Sequence, residues 1–151
     1  MKHYNDVNIK MGTDSHPLFS QGNTLPLVSR PFGAASFALQ TQGASAGWFY
    51  NPRHKQTEGV RLTRLASPWL SDYANLVLLP QSGEAVFDAG RRSTSFAQEE
   101  MSPAYLSLYL RRYRVQMELV PGVRSAMLRL RWDGEDGARL TLLPFAHETS
   151  Y

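Results

Sequence analysis

The 151-residue chain contains no cysteine, which excludes disulfide scaffolds, thiolate metal sites and cysteine nucleophiles together and fits a reducing compartment. Lysine is scarce as well. Lys2, Lys10 and Lys55 stand beside thirteen arginines, and the resulting net charge of +3 is too small to imply a polyanionic partner. No apolar run is long enough to cross a bilayer, and the opening MKHYNDVNIKMG has no apolar stretch of signal-peptide length. The expectation is therefore no membrane partner, and either a cytoplasmic protein or an exported one whose leader has been removed. Gly-x-Ser-x-Gly, Gly-x-Gly-x-x-Gly and phosphate-binding glycine loops are all missing, which leaves nucleophile-elbow and nucleotide-binding chemistry without a starting point. The four histidines, His3, His16, His54 and His147, fall in unrelated segments without metal-ligand spacing. No catalytic or metal-binding residue is assigned.

Unbroken helical windows are also lacking, because nine Pro and eleven Gly are spread along the chain. What remains is strand. Leu106, Leu108 and Leu110 alternate with Tyr105, Ser107 and Tyr109, and Val115, Met117 and Leu119 alternate with Arg114, Gln116 and Glu118. Both runs read as half-buried strands. Val120-Pro121-Gly122-Val123 reads as a type II turn leading to Ala126, Leu128, Leu130 and Trp132, and Asp133-Gly134-Glu135-Asp136-Gly137 as a turn before Leu140 and Leu142. Four consecutive strands would then form a meander. Earlier candidates are Ser36–Gln40, Gly59–Thr63 and Asn75–Leu79, with an exposed loop from Gln81 to Arg92. Composition and length allow one domain over residues 1–151. The predicted fold is all-β, an antiparallel β-sandwich with a core of Leu106, Leu108, Leu110, Leu128, Leu130 and Trp132, and with Arg129 and Arg131 facing out. The tail Phe145–Tyr151 follows soon after a strand begins and reads as a truncation, so the sandwich is expected to be incomplete and to expose an interface.

The carboxylate pairs, Glu99-Glu100 and Asp133 to Asp136, lie at a strand entry and in a turn, where solvated charge is the simpler reading. Tyr109, Arg111, Arg112, Tyr113 and Arg114 interleave aromatics with cations as single-stranded nucleic acids require. Alternate strand residues point to opposite faces, however, so these cannot form one patch, and no nucleic-acid partner is expected. The unusual segment is Thr63-Arg64-Leu65-Ala66-Ser67-Pro68-Trp69-Leu70-Ser71-Asp72-Tyr73. A ring beside a carboxylate can cover a sugar C–H face and accept hydroxyl hydrogen bonds. By composition alone, a core Trp69 with Asp72 capping the loop is the favoured reading, and the sugar-binding one comes second.

Three segments taken in order carry a resemblance: Phe19-Ser20-Gln21-Gly22-Asn23-Thr24-Leu25-Pro26 with Arg30-Pro31-Phe32-Gly33; Gly47-Trp48-Phe49-Tyr50-Asn51-Pro52 leading to the Thr63–Tyr73 loop and Leu76-Val77-Leu78-Leu79-Pro80; and Phe96-Ala97-Gln98-Glu99-Glu100 to Tyr105. Together they resemble the N-terminal β-sandwich domain of glycoside hydrolase family 92, the calcium-dependent exo-acting α-mannosidases. The resemblance implies that a much larger catalytic (α/α)6 barrel, absent from these 151 residues, supplies the calcium ligands and the two carboxylates for inversion. No cofactor is then expected in this chain, and the chain alone should be inactive. It further implies a sugar pocket where the two domains meet, with Trp69, Asp72, Trp48 and Arg64 as substrate-binding candidates. The implied partners are a mannose-containing glycan, the barrel of the same parent protein and, through the uncovered surface, a second copy. Two residues depart from the family pattern: Arg64 stands where relatives usually have His, and Ala74 where they have Gly. A stand-alone carbohydrate-binding or interaction module without catalysis is the alternative, and a basic nucleic-acid-binding β-domain a more distant one.

Overall fold

The computed structural model describes residues 6–14, 24–41, 49–64, 76–134 and 136–144. In chain order their regular elements are β1 (Val28–Ser29), β2 (Ser36–Gln40), β3 (Gln56–Thr57), β4 (Gly59–Thr63), β5 (Leu76–Gln81), the single helical turn α1 (Ala89–Arg92), β6 (Thr94–Ser102), β7 (Tyr105–Leu110), β8 (Val115–Pro121), β9 (Ala126–Trp132) and β10 (Arg139–Pro144). The strands form two antiparallel sheets, β1-β2-β4-β5-β10 and β3-β6-β7-β8-β9, which is the sandwich the alternation predicts.

The core sits where the two apolar periodicities meet. Leu106, Leu108 and Leu110 of β7 and Val115, Met117 and Leu119 of β8 are fully buried, each large side chain contributing about 1.5–3 kcal/mol. Leu128, Leu130 and Trp132 point to the same side but are only half-buried, because β9 is the edge strand of its sheet. Trp132 donates its Nε1–H to the carbonyl of Gln81 at 3.1 Å and so links the two sheets. Arg129 and Arg131 face out as expected.

Three local expectations are corrected, and the inward face of the last strand is set as well. The meander ends at β9. β10 crosses to the other sheet, where it pairs with the open edge of β5 from Arg139↔Gln81 to Pro144↔Leu76. The connection is held there by Gly83, whose N–H donates to Asp136 O at 3.0 Å and whose carbonyl accepts from Arg139. In that strand Leu140 and Leu142 face solvent, 40% and 55% exposed, while Thr141 and Leu143 turn inward, since the register to β5 sets the face. Secondly, Pro121 belongs to β8, paired with Ala126, and the connection is Gly122–Ser125, closed by Gly122 N–H donating to Ser125 O at 2.7 Å. Lastly, Gln81 is not in an exposed loop. It ends β5 fully buried, its amide donating to Val86 O at 2.8 Å and its carbonyl oxygen Oε1 accepting from Thr141.

The turn that starts with Pro and needs positive φ lies elsewhere, at Arg30–Gly33 between β1 and β2. Gly33 N–H donates to Arg30 O at 2.9 Å, Pro31 takes the second position, and Phe32 takes the third with φ 58°. That position normally selects Gly or Asn, and a bulky residue there costs about 1 kcal/mol or more. A Cβ on Gly33 would stand 3.0 Å from Arg30 O and 3.3 Å from Val123 O, so glycine lets this turn lie against the β8–β9 connection.

Candidate functional site

Of the four predicted sugar contacts, Arg64 alone is among the described residues; Trp48, Trp69 and Asp72 lie outside them. Arg64 follows β4 directly and is exposed, while the strand beneath it is buried almost throughout. Its place follows from register. Thr63 pairs with Ser36, and Leu62 pairs with both Phe37 and Leu76, so the β4–β5 connection leaves and returns at the Ser36 end of the sheet. Phe49, the residue after Trp48, lies toward the other end. Its carbonyl accepts from Thr41 N–H at 2.9 Å, just past the Gln40↔Gly59 pair. Five residues of β4 separate the two ends, about 13 Å of strand rise. The register therefore puts Arg64 at one end of the first sheet and Phe49 toward the other.

That second end holds a buried polar network which sequence reasoning missed. Glu58 bridges the two sheets between β3 and β4, and its Oε2 accepts from Gln40 Nε2 at 3.0 Å and from Arg92 at 2.9 Å. Thr57 Oγ1–H lies within reach of the carbonyls of Gln40 and Gly59, at 2.9 Å each. Arg61, 4% exposed, lays its guanidinium 4.4 Å from the centre of the Phe49 ring. Asn51 N–H donates to Thr41 Oγ1 at 2.7 Å. These contacts tie the segment that begins at Phe49 to β4 and to the end of β2.

The outer face of the second sheet carries a second network, on β7, β8 and β9. The pairs Ser107↔Glu118 and Glu118↔Arg129 put Glu118 in mid-row. Its Oε1 accepts from Tyr105 Oη–H at 2.6 Å and Arg129 at 2.7 Å, and its Oε2 from Arg129 Nε at 2.6 Å and Arg131 at 3.2 Å. The hydrogen bonds from Arg129 and Tyr105 are the main cause of a Glu118 pKa held down at about 2, while the same carboxylate raises that of Tyr105. A glycosidic general acid needs a raised pKa, so Glu118 is clamped in the ionised form and unsuited to that role. Alternation had placed Glu118 on the solvent side correctly, but only the register supplies its partners.

The folded-state pKa lies below the ordinary 4.5, so the stabilisation is fully present above pH 4.5 and is lost as pH falls toward 2. The urea midpoint is expected to drop across that window, and Glu118→Gln should remove part of the drop while lowering the midpoint at pH 7. An unchanged pH profile in the variant would show that Glu118 is not the titrating group.

Tyr113 belongs to the run in which aromatics and cations alternate. It is 2% exposed, and its hydroxyl donates to Arg92 O at 2.7 Å, so its ring belongs to the core. Calcium finds no donor set in the described part of the chain, where no three His, Asp or Glu side chains converge.

The two-sheet architecture and the order of motifs converge on one family. The family model for the glycosyl hydrolase family 92 N-terminal domain matches residues 6–150. The chain belongs to this family. Among solved structures, the family GH92 inverting mannosidase BT2199 from Bacteroides thetaiotaomicron VPI-5482 shares 30% identity at a TM-score of 0.79, over 90% of this chain and 19% of its own. The family GH92 α-mannosidase BT3965 from Bacteroides thetaiotaomicron, in complex with mannoimidazole, shares 26% identity at 0.78, over 94% of this chain and 20% of its own. The family structure ccman5, at 18% identity and a TM-score of 0.70, agrees in fold. The family 92 domain described here thus spans about one fifth of the length of these relatives. No curated protein is significantly similar in sequence.

Proposed function

We propose that this family 92 domain is the accessory, sugar-facing part of an α-mannosidase and that its β4–β5 connection forms one wall of a mannoside pocket completed by a second, larger domain. The observation that carries this reading is the register at the Ser36 end of the first sheet. Arg64 leaves β4 and Leu76 enters β5 as neighbours of the same pair of strands, and Pro144, the last described residue of β10, pairs with Leu76 at that same end. Pro144 thus lies at the end of the sheet from which the connection containing Trp69 and Asp72 departs. Support also comes from the relatives, which are mannosidases, one holding mannoimidazole.

In this reading Trp69 covers the apolar face of the sugar, Asp72 accepts its hydroxyl hydrogen bonds, and Trp48 is a second platform. Arg64, in place of the usual His, donates to hydroxyls. Hydrolysis with inversion uses one carboxylic acid and one carboxylate flanking the bond, roughly 6.5–9.5 Å apart. Those groups, and the calcium ligands, belong to the larger domain, and the 151-residue chain by itself hydrolyses no mannoside.

The test joins this chain to the rest of the BT2199 mannosidase in place of the aligned segment. Trp69→Ala and Asp72→Ala should each lower kcat/KM on an aryl α-mannoside about tenfold or more, some 1.4 kcal/mol, with Tm nearly unchanged. Retention of full turnover in both, or a loss that tracks Tm, would return Trp69 to the core and Asp72 to a loop cap.

A further inference from the structure

We infer that the tips of the β1–β2 and β8–β9 turns form one apolar, arginine-flanked surface onto which the larger second domain docks, with Phe32 as its anchor. The inference rests on the accessory-domain reading above. Five observations converge on it.

Phe32 is the most exposed large apolar residue among those described, at 105%, and it holds a left-handed backbone that costs stability without burying the ring. A strained, fully solvated aromatic gains nothing within its own domain. Ala34 N–H donates to Val123 O at 2.7 Å, so the Phe32 turn is fastened to the β8–β9 connection, where Val123 is 54% exposed. Val120 and Met127, directly paired across β8 and β9, add exposures of 48% and 76% beside that connection. Four of the large exposed apolar residues therefore gather at one end of the sandwich, and aromatic anchors within apolar patches are characteristic of interfaces.

Charge narrows the occupant. Arg30 and Arg124 flank the patch, both exposed, and neither forms an ion pair with another described residue. Residues 24–36 and 119–128 contain no Asp or Glu. A fitting partner surface is apolar at its centre and acidic at its rim; a second copy would set arginine against arginine. Position points to the same occupant. The Phe32 turn enters β2 at Ser36, the end from which the Arg64 connection departs and where β10 runs out at Pro144. The relatives carry about four fifths of their length outside the matched part, which leaves room for a second domain large enough to cover this surface. Of the other exposed large apolar residues, Leu140 and Leu142 lie along the β10 edge.

The experiment uses the same joined protein, read by calorimetry as well as by hydrolysis. Asn accepts the left-handed conformation, so Phe32→Asn removes the ring without adding strain. The unaltered joined protein should unfold in one transition. Phe32→Asn and Met127→Asp should each split it into two and lower kcat/KM at least tenfold, whereas Leu142→Asp should leave one transition and full activity. The docking surface is wrong if Phe32→Asn leaves a single transition, if Leu142→Asp splits it, or if the unaltered protein already shows two. A 151-residue chain that sediments as a dimer and becomes monomeric with Phe32→Asn would make a second copy the occupant and overturn the proposal. A single transition split by Phe32→Asn in a protein without mannoside turnover would sustain the docking surface while rejecting the mannoside pocket.

Discussion

Glu58→Ala is expected to lower the unfolding free energy of the chain by about 3–5 kcal/mol, the usual cost of removing one partner of a buried ion pair. The pair itself adds little net stability, since both charges had to leave water. The loss arises because Arg92, whose side chain is 13% exposed, would keep its charge with its carboxylate gone, and Gln40 would lose the acceptor for its amide. Arg92 is also held by Phe87 O at 2.9 Å and its own carbonyl accepts from Tyr113, so it cannot swing out to water without disturbing both. Glu58→Gln keeps the shape and one acceptor oxygen and should cost less. Urea unfolding at pH 7 measures both variants. A loss below about 1 kcal/mol for Glu58→Ala would mean that the ion pair behaves as a solvent-exposed one.

Gly59→Ala should be at least as damaging, by a different route. Gly59 has φ 131°, a conformation strongly disfavoured for residues bearing a Cβ, and a Cβ there would stand 2.5 Å from Leu78 O and 2.8 Å from Val77 Cγ1. The first obstacle is the backbone of β5, which cannot move without breaking the Val60↔Leu78 pair beside it. Strain and collision together place the expected loss above about 4 kcal/mol, a large share of the roughly 5–15 kcal/mol by which folded domains are stable. Gly83 is the control. It also has positive φ, 71°, but an added Cβ would meet nothing within 4 Å, so Gly83→Ala should cost only about 1–2 kcal/mol. Near-equal losses for the two variants would show that φ alone, and not the approach of β5, demands glycine at position 59.

Both effects arise at the step from β3 to β4, which the sequence pattern did not reveal. β3 is two residues long, too short for any periodicity to mark it. Glu58 finds Gln40 eighteen positions upstream and Arg92 thirty-four downstream. Buried polar residues look like surface residues until their partners are known, because the same side chain is costly inside when unpaired and tolerated when bonded. Glu118 shows the milder form of this. Its outward face was legible from alternation, whereas its clamp needed the β7–β8–β9 register.

The sugar-facing candidates divide differently. Arg64, Trp69 and Asp72 were grouped by their closeness in the chain, and their common connection leaves from one end of the first sheet. Trp48 is a candidate by residue type alone, and the fold ties its neighbour Phe49 beside Thr41, toward the other end of that sheet. In the sequence Phe32 is legible only as part of a family motif. Its strained turn and its alignment with Val123 emerged only from the chain's path.

By itself the sequence determined where chain segments are extended, which residues of β7 and β8 turn inward, and, through ordered motifs, the family. These are properties of neighbouring residues, set by the two-residue period of a strand and by turn chemistry. Tertiary structure alone decided that β10 joins β5 rather than β9, that Leu140 and Leu142 therefore face water, and that Glu58 is buried between arginine and glutamine. Each of these depends on which strand edge or charged side chain distant in sequence is available to pair. A backbone donor, or a buried charge, is satisfied by whatever partner the fold brings to it, and local pattern carries no record of that partner.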